Sequence, residues 1–251
     1  MAPSPHLPNR LLAALPPEVV ERLRPKLKSE RLAQGRVLME AGERIERIYF
    51  PEEGVISAVC AFSDDRVAEM ATTGCEGFVS VVAAIGGTHA LARHIVQVPG
   101  TALSLSADTF RWMLDEEPAL RSVALAYVQA YIAQTLHFVA CNGVHTVEQR
   151  SARWLLMCHD RVNGDTFSLT QEFLAAMLGV HRPTVSVVAN ALQRAGLIRY
   201  RRGAVTVLDR TGLEEVSCEC YGMLRRQFDR LLPHTRVRWR PIPELRLRPL
   251  D

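Results

Sequence analysis

Residues 169–197 read LTQEFLAAMLGVHRPTVSVVANALQRAGL. Two short stretches with helical apolar spacing are split at Gly179, and the second restarts at once at Arg182. A helix that only packs in a core needs no such break. A helix presented to something outside the protein does. Ser168 or Thr170 can cap the first helix, expected from about Gln171, with Leu174, Met177 and Leu178 turned inward. Ala175 is small where a second helix must come close. Gly179 ends the first helix, because glycine alone adopts the left-handed turn cheaply. Val180 plugs the turn, and Arg182 and Pro183 open the second helix, where a missing amide hydrogen costs nothing. Val185, Val188 and Leu192 pack inward, and Gly196 closes the helix. Gln171, Ala175, Gly179, Val185 and Val188 thus fall at the spacing of a helix-turn-helix. The plain alternative is an αα-hairpin used only for packing.

The other face of the second helix carries Arg182, Pro183, Thr184, Ser186, Val187 and Asn190. A cation, hydroxyls and an amide suit base edges and phosphates. The following LIRYRRGAVTVLD predicts two strands, around 198–200 and 204–208, turning at Arg202-Gly203. This is a wing whose Arg199, Arg201 and Arg202 can hold phosphates.

On the N-terminal side of this unit, Thr146 and Gln149 form a capping-box pattern, and Asn142-Gly143 reads as a hinge or helix end. Before it, Pro118 opens a long helix reaching about Asn142. Leu120, Ala124, Tyr127, Tyr131, Gln134, Phe138, Cys141 and His145 follow one another at alternating spacings of 4 and 3, a heptad seam. A second apolar line runs through Leu125, Val128, Ile132, Leu136 and Val139. One face can cover the rest of the chain while the other meets a second copy, so a homodimer is expected. From Ser122 to Val147 no Asp, Glu, Lys or Arg occurs, a length that could span a bilayer. Gln129, Gln134, His137, Asn142 and His145 are costly in lipid, and a helix buried on two sides is the better reading.

Earlier still, from Glu30 to Ser106, short alternating runs such as RIYF, VISAVCAF and HIVQV predict half-buried strands of a sandwich or barrel. Gly35, Gly42, Gly54, Gly74, Gly77, Gly86, Gly87 and Gly100 are expected to mark turns. Short helices are expected at 10–15 and 18–27, and another from a cap at Ser106 or Asp108.

The chain has 251 residues, 48% of them hydrophobic, enough for one large or two modest cores. Net charge is only +3, so a nucleic-acid surface must be a local cluster. The first residues lack the apolar core of a signal peptide, and six scattered cysteines without a C-x-x-C suit a reducing cytoplasm. No P-loop, G-x-S-x-G, H-E-x-x-H or kinase signature is present, and an enzyme is not expected.

With these residues in view, the chain resembles the Crp/Fnr family of bacterial transcription regulators over about residues 10–210. The likeness is strongest in SLTQEFLAAMLGVHRPTVSVVANALQRAGLI and weaker in GCEGFVSVVAAIGG and HIVQVPGTALSLS. The resemblance implies an α+β chain. A cyclic-nucleotide-binding-like β-roll of jelly-roll type would occupy 10–117, with a dimerisation helix at 118–145. A winged helix-turn-helix at 146–212 and a C-terminal helix and tail at 213–251 would follow. It implies a homodimer on double-stranded DNA with a near-palindromic operator, RNA polymerase as a further partner, a cytoplasmic location and no membrane.

By the same resemblance, Thr170 meets a phosphate and Arg182 reads a guanine, whereas Pro183 and Val187 replace the family's glutamate and second arginine, so its best-known operator does not carry over. The ribose glutamate and the arginine-serine pair that grip a cyclic phosphate are not found in register in GFVSVVAAIGGTHALARH. The effector pocket is placed at Glu76, Gly77, Arg93, Thr135 and Leu136, with an unknown ligand or none. A rival reading is a ligand sensor or scaffold with such a β-roll that does not regulate transcription. The intact helix-turn-helix counts against it.

Three weaker patterns are set aside. His137, Cys141 and His145 share a helical face, as haem or metal ligands can, but no fourth ligand is evident, so no metal or cofactor is expected. CECY at 218–221 resembles half a metal clamp without a partner pair. His89 and His94 read as exposed loop residues, and the Arg- and Pro-rich C-terminus as a solvated tail.

Overall fold

The computed structural model describes residues 7–63 and 67–232; the Arg- and Pro-rich tail lies outside the described residues. Two short helices, α1 (Arg10–Ala13) and α2 (Pro17–Leu23), precede an antiparallel sheet. Its strands are β1 (Lys28–Leu32), β2 (Val37–Met39), β3 (Arg47–Ala61), β4 (Val67–Thr73) and β5 (Arg93–Ser106). The order is β1-β5-β3-β4, with β2 also on β5. Three helices follow: α3 (Ala107–Glu116), α4 (Pro118–Val144) and α5 (Val147–His159). The C-terminal unit runs β6 (Thr166–Ser168), α6 (Gln171–Leu178), α7 (Arg182–Arg194), β7 (Ile198–Arg201) and β8 (Ala204–Val207). It closes with α8 (Arg210–Val216) and α9 (Cys220–Leu231). The expected division at 212 falls inside α8.

Gly54 and Gly100 do not mark turns. They lie within β3 and β5. Gly54 has φ +95 and bulges the strand between register shifts, so RIYF and VISAVCAF form one bent strand of 15 residues. A Cβ on Gly100 would stand 2.1 Å from the Glu53 carbonyl oxygen, so a side chain there would break the approach of β3 and β5.

Two apolar cores organise the chain. The first joins the sheet to α1–α4 through Phe50, Phe78, Phe110 and Tyr127, with ring centroids 5.2–6.0 Å apart. The second is built on Trp154, Leu155, Leu174, Val185, Leu192 and Val205, and it also takes in Val55, Val59 and Val98 from the sheet. The β-roll and the C-terminal unit are therefore packed together.

The seam on α4 faces its own chain. Leu120, Ala124, Tyr127, Gln134, Phe138 and Cys141 are buried. Gln134 accepts from the Thr72 hydroxyl at 2.9 Å and donates to the Thr72 carbonyl at 2.9 Å, which satisfies its buried amide. The second line buries Val128 but is open at its C-terminal end: Ile132, Leu136 and Val139 are 51%, 66% and 69% exposed. Asn142-Gly143 does not end the helix, which continues to Val144. The Thr146–Gln149 capping box forms as expected.

Candidate nucleic-acid interface

Local chemistry builds the helix-turn-helix as the sequence predicts. Thr170, not Ser168, caps α6, its hydroxyl oxygen accepting from the Phe173 amide at 3.2 Å. Gly179 takes φ +64 and turns the chain. Leu174, Ala175, Met177, Leu178, Val185, Ala189 and Leu192 are buried, and Val180 and Val188 pack against them. This leaves Arg182, Pro183, Thr184, Val187 and Asn190 exposed on α7.

Three of the expected reading residues already have partners, Asn190 accepting from the Gln193 side-chain amide at 3.4 Å. Ser186 is half-buried and donates to the Gln171 side-chain carbonyl at 2.6 Å, so its hydroxyl is not freely presented. Arg182 pairs with Glu172 at 3.0 Å, with both side chains well exposed. An exposed pair is worth only about 0–1 kcal/mol, so DNA can take this guanidinium at small cost.

The wing is a three-stranded sheet, β6-β8-β7, one strand more than the sequence predicts. Arg202 (φ +51) and Gly203 (φ +76) make the tight turn. That turn is tied to the start of α6: the Leu169 amide donates to the Gly203 carbonyl at 2.8 Å, and the Tyr200 hydroxyl donates to the Leu169 carbonyl at 2.5 Å. Thr170 and the turn are thus neighbours, and Arg199, Arg201 and Arg202 are all exposed. The arrangement brings the exposed face of α7, the start of α6 and the arginine turn of the wing onto one surface.

Behind that surface a buried polar junction locks the C-terminal unit to the β-roll. Sequence reasoning missed it. Arg161, just after α5, pairs with Glu76 at 2.7 Å and donates to the Thr72 hydroxyl at 3.0 Å. Burial works against the Glu76 carboxylate, but the Arg161 guanidinium outweighs it and holds the group below its ordinary range. Nearby, Glu69 accepts from the Ser57 hydroxyl at 2.5 Å and the Trp154 indole at 3.0 Å. Here burial dominates and pushes the carboxyl up to about 7. No spacing rule brings these residues together, because 85 positions separate Trp154 from Glu69 and Arg161 from Glu76, and 89 separate Arg161 from Thr72.

The expected effector residues divide. Thr135 and Leu136 line a pocket of about 380 Å³ between the β-roll and α4. Glu76, Gly77 and Arg93 do not line it. Glu76 is consumed by Arg161, the ring of Tyr127 occupies the space over Gly77, and Arg93 pairs with Glu40 at 2.7 Å. The pocket wall is mainly apolar, with Val81, Ile85, Leu91, Val128 and Ile132. Ser80 and His94 also face it, and Ser80 Oγ and His94 Nδ1 are buried without a hydrogen-bond partner. His94 is therefore not an exposed loop residue: it lies in β5, and burial lowers its pKa to about 4. His89 is exposed as expected.

The weak metal patterns also rearrange. His137 stays apart, but Cys141 and His145 meet Cys218 and Cys220 in a buried Cys/His cluster. The partner pair that CECY lacked in the sequence is supplied by α4.

Comparisons with known proteins agree with this geometry. The cyclic nucleotide-binding domain family matches residues 29–117, and the Crp-like helix-turn-helix domain family matches residues 149–216. No curated protein matches the chain. Among solved structures, a CRP-family transcriptional regulator from Thermus thermophilus is 21% identical with a TM-score of 0.63, covering 75% of this chain and 96% of that one. FixK2 from Bradyrhizobium japonicum is 13% identical with a TM-score of 0.63, covering 76% and 98%. The c-di-GMP-responsive regulator CLP from Xanthomonas campestris is 17% identical with a TM-score of 0.58, covering 76% and 98%. At these identities the likenesses show the shared fold. A cyclic nucleotide-binding domain followed by a Crp-like helix-turn-helix places this chain in the Crp/Fnr family of DNA-binding transcription regulators.

Proposed function

We propose that the protein is a homodimeric, sequence-specific regulator that reads a near-palindromic operator through α7. The observation that carries this reading is the exposed Arg182, Val187 and Asn190 face on a helix whose other face is buried, beside the arginine turn of the wing. In this reading Arg182 and Asn190 contact base edges, and Val187, 68% exposed, meets a thymine methyl. Thr170 and Arg199, Arg201 and Arg202 hold phosphates. The cytoplasm and RNA polymerase complete its setting. Selection of bound sequences from random DNA tests the reading. The expected outcome is a palindromic consensus with half-sites about one helical turn apart. Recovery of unrelated sequences overturns it.

The dimer uses the open face of α4. Ile132, Leu136 and Val139 form an apolar stripe left exposed by the described residues, next to the pocket. Leu136→Glu is expected to give a monomer in sedimentation. A wild type that sediments as a monomer with DNA present sinks this assignment.

For the effector, an uncharged and mostly apolar small molecule fits the pocket better than a cyclic nucleotide. Among the described residues no lysine or arginine lines the wall, and a cyclic phosphate needs such a cation. Ser80 has φ +69, a strained state for a residue other than glycine, and offers its hydroxyl beside neutral His94. Calorimetry with cyclic AMP is expected to show no tight binding. Tight binding coupled to a gain in DNA affinity refutes this.

A further inference from the structure

We propose that Cys141, His145, Cys218 and Cys220 bind one zinc ion in a tetrahedral Cys3His site that ties the end of α4 to the start of α9. The four ligand atoms lie within 4.8 Å of one another. Cys141 Sγ is 3.5 Å from Cys218 Sγ, and Cys220 Sγ is 3.7 Å from His145 Nδ1. A tetrahedron with zinc–sulfur bonds of about 2.3 Å has sulfur–sulfur edges of roughly 3.8 Å and slightly shorter sulfur–nitrogen edges. These two separations lie close to those edges, and the remaining ones, all within 4.8 Å, need only a small inward shift of side chains to close on an ion. They are too long for a disulfide bond of about 2.05 Å.

The ligands come from two directions. Cys141 lies in the last turn of α4, and His145 is the extended residue that caps that turn, its amide donating to the Cys141 carbonyl at 3.1 Å. Cys220 opens α9 and Cys218 stands two positions before it, with Glu219 between them. The three cysteines form a buried cluster separate from both apolar cores. Thiol packing alone does not explain three sulfurs and an imidazole converging there.

The surroundings supply what such a site needs. His145 turns Nδ1 to the cluster and Nε2 to the Glu219 carboxylate at 3.2 Å. A carboxylate behind a ligating imidazole fixes its tautomer and strengthens it as a donor. Three thiolates and one Zn2+ leave the site with a single negative charge. Arg150 and Arg153 are buried on α5, electrostatically coupled to Cys141, and the Nε of each has no hydrogen-bond partner. A set of three sulfurs and one nitrogen in tetrahedral array selects zinc over harder cations. Binding releases three thiol protons to solvent, and no redox step is required.

The test uses the full-length chain without a polyhistidine tag, purified without oxygen and stripped of metal. Co2+ is titrated in as a spectroscopic probe, then displaced with Zn2+. The expected result is one Co2+ per chain, with near-ultraviolet sulfur-to-metal charge transfer and the intense visible bands of a tetrahedral site. One equivalent of Zn2+ should abolish the spectrum. Zn2+ should also shield Cys141, Cys218 and Cys220 from alkylation while Cys60, half-exposed and outside the cluster, still reacts. Cys218→Ser and Cys220→Ser are each expected to lose the spectrum, Cys60→Ser to retain it, and Glu219→Gln to weaken metal binding by about tenfold or more. The wild-type spectrum keeps the test decisive even if a variant misfolds. Absence of thiolate–metal absorption in reduced wild type overturns the proposal. So does uptake in Cys218→Ser equal to wild type.

Discussion

The reading face of α7 and the junction behind it hold their charges in opposite ways. On α7, Arg182 and Glu172 meet in the open, with side chains 64% and 60% exposed. At the junction, Arg161 and Glu76 meet with 4% and 1% exposed. Water screens the first pair, so it contributes little and can be exchanged for DNA. The second pair has no solvent to fall back on, so losing either partner strands a buried charge. The surface proposed to select DNA is thus built to change at small cost in stability. The junction that seats the DNA-binding unit on the β-roll is not.

The largest expected effect comes from breaking the junction. Arg161→Met should destabilise the protein by about 3–5 kcal/mol in urea denaturation. Adding Glu76→Gln should recover much of that loss. If Arg161→Met stays within about 1 kcal/mol of wild type, the pair does not hold the units together.

Next comes the pH dependence of the same junction, where its two carboxylates have opposite signs. Glu76 is held below its ordinary value, so its contribution is present above pH 4.5 and is lost as pH falls through its lowered pKa. Glu69 is raised from 4.5 to about 7, so its contribution is full below pH 4.5 and is lost as pH rises through about 7. Relative to Glu69→Gln, wild type should lose on the order of 3 kcal/mol across that window. A stability difference between the two that does not vary with pH refutes the shift.

On the reading face the effects are smaller and fall on binding. Arg182→Ala should cost roughly 1–3 kcal/mol on the preferred operator and relax one base pair per half-site. Stability should move by no more than about 0.5 kcal/mol. An equal loss on every single-base-substituted operator would make Arg182 a phosphate anchor instead. The smallest change belongs to the wing. Arg202→Ala should weaken all sequences alike and flatten the log–log salt dependence by about one unit for each phosphate no longer neutralised. Selective loss on one operator would move Arg202 to the base-reading set.

Nearly all of the helix-turn-helix was legible because its determinants are local. The Thr170 cap, the Gly179 turn and the inward Val185 and Leu192 lie within one stretch of about 25 residues, and each acts through the nearest turn of helix. The β-roll was legible in kind but not in detail. Gly54 reads as a turn in any window, and only pairing with β5 makes it a bulge. The α4 seam was legible as a pattern, but its partner was not. Periodicity says that a face is apolar, never which surface covers it.

The sequence by itself determined the order of the parts: a strand-rich unit, one long helix, and a winged helix-turn-helix with an exposed face on its second helix. Propensity, capping and periodicity act over a few residues, so they survive in a linear reading. Tertiary structure alone decided which distant side chains meet. It sealed Glu76 with Arg161, emptied the pocket of the charges expected there, and turned His94 inward. It also brought Cys218 to Cys141 across 77 positions. Such meetings depend on how whole elements pack around two shared cores, and no spacing within one element encodes them.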